Sequence, residues 1–311
     1  MKKIILFISF LFYVATASAQ QDPEYTHYMY NMSVVNPAYA TGTPAMINAG
    51  GLYRTQWVGA IGAPKTYTFF GHSALSEKVE VGISLVSDDI GDGAKKENNF
   101  YADFAYVLNL GGKNKLSLGL KAGFSALQTN FNGFVLQSGN AATDAAFAED
   151  INVTKPNIGV GAYYFRDNFY VGLSAPNLLK SKQIEEKSGI NAYGSEEIHT
   201  FLTAGYVFQI NDMFKFKPAS MAKFVKGAPV AVDITANFLY NEKFEFGTAY
   251  RINDAISALF NINVTPSLRV GYAYDYTLSN LGQFNSGTHE IMLLFDIDLL
   301  GKGYDKSPRF F

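Results

Sequence analysis

From about Pro44 onward the chain alternates apolar and polar residues, segment after segment, and the segments are joined by a short turn, then a longer loop, then a short turn. Alternation at period two is the signature of strands with one apolar face. In residues 268–277, Leu268, Val270, Tyr272, Tyr274 and Tyr276 oppose Arg269, Gly271, Ala273, Asp275 and Thr277. In 243–252, Phe244, Phe246, Tyr250 and Ile252 oppose Lys243, Glu245, Gly247 and Arg251, and 230–241 repeats the rule. Every charge in these strands falls on one face. A slip of one residue would turn Lys243 and Arg251 toward the apolar side, at up to roughly 2–4 kcal/mol for each basic residue if that side is lipid.

Fourteen such segments are read near 45–57, 65–75, 78–87, 97–110, 114–128, 155–166, 168–174, 196–210, 213–223, 228–240, 243–252, 255–264, 267–277 and 287–299. Tight turns at Ser76-Glu77, Gly111-Gly112-Lys113, Arg166-Asp167-Asn168, Asn211-Asp212, Asn241-Glu242 and Thr265-Pro266 fall at every second junction. The longer connections, roughly 88–96, 129–154, 175–195 and 278–286, with shorter ones near 58–64 and 224–227, fall at the others. A soluble β-sandwich has no reason to sort its loops by parity. The pattern predicts an all-β fold, a transmembrane antiparallel β-barrel of about 14 strands with short periplasmic turns and longer external loops. Mean hydropathy is +0.01 although 48% of residues are hydrophobic, so apolar residues are distributed by alternation and not massed into helical spans. Aromatics at 15% suit the interfacial girdles of such a barrel.

The first residues read as an export signal. Lys2-Lys3 precede an apolar run from Ile4 to Val14, and Ala17-Ser18-Ala19 supplies a small-residue cleavage site, so residues 1–19 are expected to be removed and the mature chain to begin at Gln20. With no cysteine there is neither a lipid anchor on the first mature residue nor a disulfide framework. The 25 basic residues fall to 23 once Lys2 and Lys3 are gone, against 27 acidic ones, a net charge of −4 with no basic tract. Nucleic acid is not an expected partner. The remaining organisation is a polar, aromatic segment at 20–43, expected as a plug in the lumen or a piece of the periplasmic rim, then the barrel at 44–300 and a periplasmic tail at 301–311.

No constellation for chemistry emerges. His27, His72, His199 and His289 are not spaced as metal ligands. Asp88-Asp89-Ile90-Gly91-Asp92-Gly93 resembles the start of a calcium loop but places Ile90 at position three and Asn99 at position twelve, so it reads as an acidic surface loop with loose affinity for cations. None of the Gly-x-Ser triplets completes a nucleophile elbow, and Gly159-Val160-Gly161 lies in a strand with no helix after it. His72 and Ser73 are adjacent in a strand and point to opposite faces, which removes the one Ser/His pair of a lipid hydrolase. No enzymatic activity and no cofactor is expected. The inward charges Asp103, Lys121, Asp233, Glu245, Arg251, Arg269, Asp275 and Asp296 are of mixed sign, as in a hydrogen-bonded network around a plug and unlike a single-sign selectivity ring.

Several landmarks, in order along the mature length, resemble the PorP/SprF family of type IX secretion membrane proteins. They are Gln20 to Tyr25; Asn36, Pro37, Ala38, Tyr39 and Ala40; Trp57, Val58, Gly59 and on to Pro64; Phe216-Lys217-Pro218 with Val225 to Pro229; Tyr250-Arg251; Gly271-Tyr272-Ala273-Tyr274-Asp275; Gly287 to Leu293, including His289 and Glu290; and Ser307 to Phe311. The resemblance implies a non-enzymatic outer-membrane component. Such a protein either links to the periplasmic core and its lipoproteins or assists export and surface anchoring of a large adhesin, including gliding adhesins, through the cargo's C-terminal domain. The loops near 129–154 and 175–195 would then face cargo, and 20–43 with the tail would face periplasmic partners. A channel or hydrophobic-solute transporter is the alternative.

Overall fold

The computed structural model describes residues 23–41, 44, 46–131, 135–136, 139–140, 150, 152–179 and 197–298. The expected signal segment 1–19, the tail 301–311 and most of the two loops near 129–154 and 175–195 lie outside the described residues.

Fourteen antiparallel strands close on themselves. They are β1 (Met46–Thr55), β2 (Lys65–Ala74), β3 (Val79–Ile90), β4 (Lys95–Gly111), β5 (Asn114–Thr129), β6 (Asn152–Arg166), β7 (Phe169–Ala175), β8 (His199–Tyr206), β9 (Phe214–Val225), β10 (Ala231–Tyr240), β11 (Phe244–Arg251), β12 (Ala255–Thr265), β13 (Leu268–Thr277) and β14 (Thr288–Asp298). Each pairs with its neighbour in sequence, and β1 pairs with β14 from Met46↔Asp298 to Thr55↔His289. That seam removes the last free edge, so every strand finds partners on both sides. No helix among the described residues is long and apolar enough to cross a membrane.

Burial is inverted relative to a soluble protein. Phe104, Leu120, Val160, Ile234, Phe246, Tyr272 and Ile291 point outward and are exposed, whereas Arg54, Glu80, Asp103, Lys121, Lys217, Glu245, Asp275 and Glu290 point inward and are buried. The alternation places lipid-compatible side chains on the outside and polar ones on the inside, as predicted.

The tight turns share one end. Between β10 and β11, Asn241 and Glu242 both take positive φ, 50° and 55°, the geometry of a two-residue hairpin whose twist matches its strands. At the other end the expected loop 88–96 is much shorter than predicted. β3 runs to Ile90 and β4 restarts at Lys95, leaving residues 91–94 as the turn. Its acidic residues suggested a loop, yet cross-strand pairs Asp89↔Lys96 and Ile90↔Lys95 extend the ladder, because strands that rise past the lipid tolerate charge. The predicted strand 196–210 is interrupted after Tyr206, and only Phe208–Gln209 resume pairing with β9.

Residues 23–41 lie inside the barrel. A turn over 26–30 leads into α1 (Met32–Val35), which ends as Asn36 adopts the extended backbone favoured before proline, φ −134° and ψ 112°. Tyr25, Tyr28, Met29, Tyr30 and Val35 pack with Leu52, Phe70, Phe201, Met221 and Met292 of the wall. Further along, Met32, Ala38 and Ala40 pack with Val107, Tyr163, Phe165 and Tyr170. The apolar core of this molecule is therefore the contact between the segment and its barrel.

Candidate functional site

The lumen is filled by three polar knots and one glycine-floored seat. The first knot lies at the closing seam. Arg54 of β1 and Glu290 of β14 face each other in register, Nη1 to Oε2 3.1 Å apart, and Arg54 Nη2 reaches Asp275 of β13 at 2.8 Å. Glu290 accepts from the backbone N–H of Thr26 at 3.0 Å and of His27 at 2.8 Å, and meets His27 Nδ1 at 2.7 Å. Thr26 Oγ1 donates to Asp275 at 2.8 Å. All five residues are buried. One carboxylate thus grips two main-chain amides of the inserted segment, a geometry that would leave charges stranded if the segment withdrew.

The second knot surrounds Tyr30. Its hydroxyl donates to Glu245, which also meets Lys217 Nζ at 2.7 Å and accepts from Asn237 Nδ2 at 3.1 Å. Lys217 and Arg269 both lie over the Tyr30 ring, 5.2 and 5.3 Å from its centroid. The third knot holds Glu24, which pairs with Lys223 and, at 3.0 Å, with Arg251 Nη1. Arg251 is in turn held by Asp233 at 2.8 Å and Asp254 at 3.3 Å. Burial alone would raise the Glu24 carboxyl, but the two cations outweigh it and hold its pKa down at about 2.

The seat belongs to Asn36-Pro37-Ala38. Gly119 of β5 and Gly161 of β6 are register partners, and Gly172 of β7 lies beside them, opposite Tyr163. A Cβ on Gly119 would lie 2.3 Å from the backbone of Pro37 and Ala38, and one on Gly161 would lie 2.1 Å from Asn36 Oδ1. The wall is bare there so that the main chain can lie against it. Asn36 uses both ends of its amide: Nδ2 donates to Ala162 O at 3.1 Å, and Oδ1 accepts from Ala38 N at 2.9 Å. Tyr39 follows, edge-on to Tyr163, its ring 5.3 Å from that of His72.

The positions singled out from sequence separate into three groups. Asn36, Pro37, Ala38, Tyr39, Arg251, Gly271, Asp275 and Glu290 meet in the lumen; a Cβ on Gly271 would lie 3.2 Å from His27 Nε2. Trp57, Gly59 and Pro64 build the loop 56–64 at the long-loop end, where Trp57 and Gly59 take φ of 44° and 95° and Val58 exchanges backbone bonds with Gly287 and Ser286. Tyr250, Tyr272 and His289 face outward, with Tyr272 Oη 2.6 Å from His289 Nδ1. The inward charges named from sequence are engaged as expected: Lys121 pairs with Asp103 at 3.0 Å, Asp296 accepts from Asn48, and Arg269 donates to Asn263.

Sequence reading passed over Arg54 and Lys223, and held Glu24 and Lys217 only as parts of family landmarks, with no lumenal role. Arg54 carries the same parity as Leu52, but Gly50 and Gly51 blur the alternation of β1 just before it. Glu24 shares Arg251 Nη1 with Asp254, which lies in the turn at the long-loop end, while Thr41 N donates to Glu80 of β3, near the tight turns. The described residues 23–41 therefore run the height of the lumen, from the long-loop end toward the tight-turn end. The acidic 88–93 stretch is also spoken for, with Asp88 accepting from Thr66, Asp89 from Gly93 N, and Asp92 pairing with Lys65. No group of three or more metal-binding side chains occurs among the described residues. His72 Nε2 lies 2.7 Å from Glu80 in the lumen while Ser73 donates to Met46 O from the opposite face.

The family model for type IX secretion system membrane protein PorP/SprF matches residues 17–295, spanning the inserted segment, the glycine seat and the closing seam. The chain belongs to the PorP/SprF family. Membership accounts for the barrel and places this PorP/SprF protein in the outer membrane. The deltaS2S3 mutant of the TodX monoaromatic hydrocarbon channel has the same fold at 9% identity and TM-score 0.50, with 86% of this chain and 94% of that one covered. A FadL homologue of Pseudomonas aeruginosa is 12% identical at TM-score 0.49, covering 91% and 96% of the two chains. Omp33 of Acinetobacter baumannii is 11% identical at 0.46, covering 83% and 100%. No curated protein sequence matches the chain.

Proposed function

We propose that this PorP/SprF protein is a sealed outer-membrane receptor that binds the C-terminal domain of a large adhesin-type cargo of type IX secretion and assists its export or surface anchoring. The observation that carries the reading is the lumen itself: residues 23–41 occupy it, Glu24 ties them to β9 and β11 by ion pairs, and hydrogen bonds at Thr26, His27 and Tyr30 tie them to β1, β11, β13 and β14. A channel or hydrophobic-solute transporter needs a continuous path, and this segment stands in it. Recognition then falls to the rims. The loop 56–64, braced on both sides by backbone bonds to residues 286–287 and 91, supplies a preorganised surface at the long-loop end. In the same reading, residues 1–19 are the cleaved signal, 44–300 the barrel, and 301–311 a periplasmic tail that meets core or lipoprotein components.

The test is affinity purification of the tagged chain from detergent-solubilised outer membranes, with mass spectrometry of what accompanies it. One large surface protein bearing a type IX C-terminal domain is the expected companion. Periplasmic ring and lipoprotein components alone would make the chain a core subunit, and an isolated barrel would return the channel reading.

A further inference from the structure

A second feature lies on the outer wall, away from the lumen. The outward side chains Tyr53, Tyr67, Phe69, Leu85, Ile291 and Leu293 of β1, β2, β3 and β14 surround Gly51, which has no side chain to fill the space between them. The register puts Gly51 opposite Phe69 on one side and Leu293 on the other. With Tyr53, Tyr67 and Leu85 these residues enclose a groove of about 390 Å³, within the size of small-molecule sites at roughly 300–1,000 Å³. The glycine is not required by the protein's own packing. A Cβ there would meet only Thr68 O, at 3.6 Å, whereas a Cβ on the inward Gly50 would strike Phe70 at 2.4 Å.

The groove is capped in a graded way. Tyr53, Tyr67, Ser87 and Asn98 form one lateral row, each in register with the next, at the long-loop end of the groove. The two tyrosines belong to an interfacial aromatic girdle, and Ser87 with Asn98 interrupts it. Ser87 Oγ donates to Asn98 Oδ1 at 2.8 Å, which leaves the Asn98 amide nitrogen as a donor at that level. Two residues further out, about 7 Å along the strands, the same face carries Lys65, Asp89 and Lys96 in register. Lys96 is exposed. An apolar slot, then a hydrogen-bond donor, then a cation is the profile of a lipid with an acyl chain, an ester, amide or hydroxyl oxygen, and a phosphate.

Outer-membrane barrels turn their longer loops outward, which assigns the lipid to the outer leaflet. We infer that this groove is a binding site for one lipopolysaccharide molecule, with an acyl chain over Gly51, its carbonyl or hydroxyl oxygen at Asn98 and a phosphate at Lys96. The groove is continuous with the lipid-facing band, and the cation matches the anionic headgroup.

Native mass spectrometry of the full chain, extracted from outer membranes in mild detergent, tests this. The wild type is expected to retain a single lipopolysaccharide adduct. Gly51→Leu, which fills the slot, and Lys96→Glu, which repels the phosphate, are each expected to lose it while keeping the heat-modifiable gel mobility of a folded barrel. The inference is overturned if the wild type carries no such adduct, if Gly51→Leu retains it at the wild-type level, or if the adduct is a phospholipid. A dimer of the chain that Gly51→Leu dissociates would also overturn it, since the groove would then be a contact between copies.

Discussion

Gly119 is where a single methyl group should act on the whole plug. Its ideal Cβ lies 2.3 Å from the carbonyl carbon and oxygen of Pro37 and the nitrogen of Ala38, all main-chain atoms that cannot rotate away. Restoring an ordinary contact requires the Asn36–Ala38 backbone to retreat by roughly 1 Å or more. Such a retreat breaks the 3.1 Å bond from Asn36 Nδ2 to Ala162 O. Overpacking of this kind costs about 1–3 kcal/mol, and a buried amide left without its partner costs about 1–3 kcal/mol more. Gly119→Ala should therefore destabilise the seated plug by roughly 2–6 kcal/mol while leaving the strand ladder intact. Limited proteolysis of the reconstituted barrel reads this directly. The expected result is cleavage within residues 23–41 in Gly119→Ala but not in the wild type, with heat-modifiable mobility unchanged in both. Gly51→Ala, whose Cβ meets ordinary space on the outer wall, serves as the control. Equal protease resistance of Gly119→Ala and wild type would refute the claim that the glycines form a seat.

Arg54→Met strands Asp275 and Glu290 without their shared cation in a buried site and should cost about 3–5 kcal/mol, measured as a lower denaturant midpoint. The Glu24 carboxyl, depressed to about 2, adds stability that is fully present above its ordinary value near 4.5 and is lost as pH falls from there toward 2. The gain is about 3 kcal/mol; plug protection should hold from pH 7 to 5 and fall below 4.5, and the fall should be smaller in Glu24→Gln, where the other carboxylates that hold the segment still titrate. On the outer wall, Leu120→Lys near mid-strand should lower stability in lipid by about 2–4 kcal/mol and Leu110→Lys beside a tight turn by about 0–1 kcal/mol, both read by equilibrium unfolding in vesicles.

The barrel was legible in the sequence because each strand repeats its own evidence. A residue such as Glu245 must share a face with Lys243, Gly247 and Arg251, and every charge of 243–252 falls on that face. The alternation also located the inward charges, since parity alone assigns Asp103, Lys121 and Asp275 to the lumen. Their partners were not legible. Glu24 reaches Arg251 and Lys223, and Glu290 reaches the amides of Thr26 and His27, across separations of more than 190 residues that no local pattern encodes. The glycine seat was hidden for a related reason. Gly119, Gly161 and Gly172 look like ordinary strand glycines until the register sets their strands side by side against Asn36-Pro37-Ala38. The length of the 88–96 connection was misjudged because charge signals a loop only if the strand has already left hydrophobic surroundings.

Planar-bilayer conductance of the full wild-type chain tests most directly whether this barrel is a sealed receptor. With residues 23–41 seated, it should insert without stable ohmic steps, and Gly119→Ala or Arg54→Met should produce them. Steady conductance by the wild type, equal to that of the variants, would mean that an open path passes the plug and that the protein is a channel.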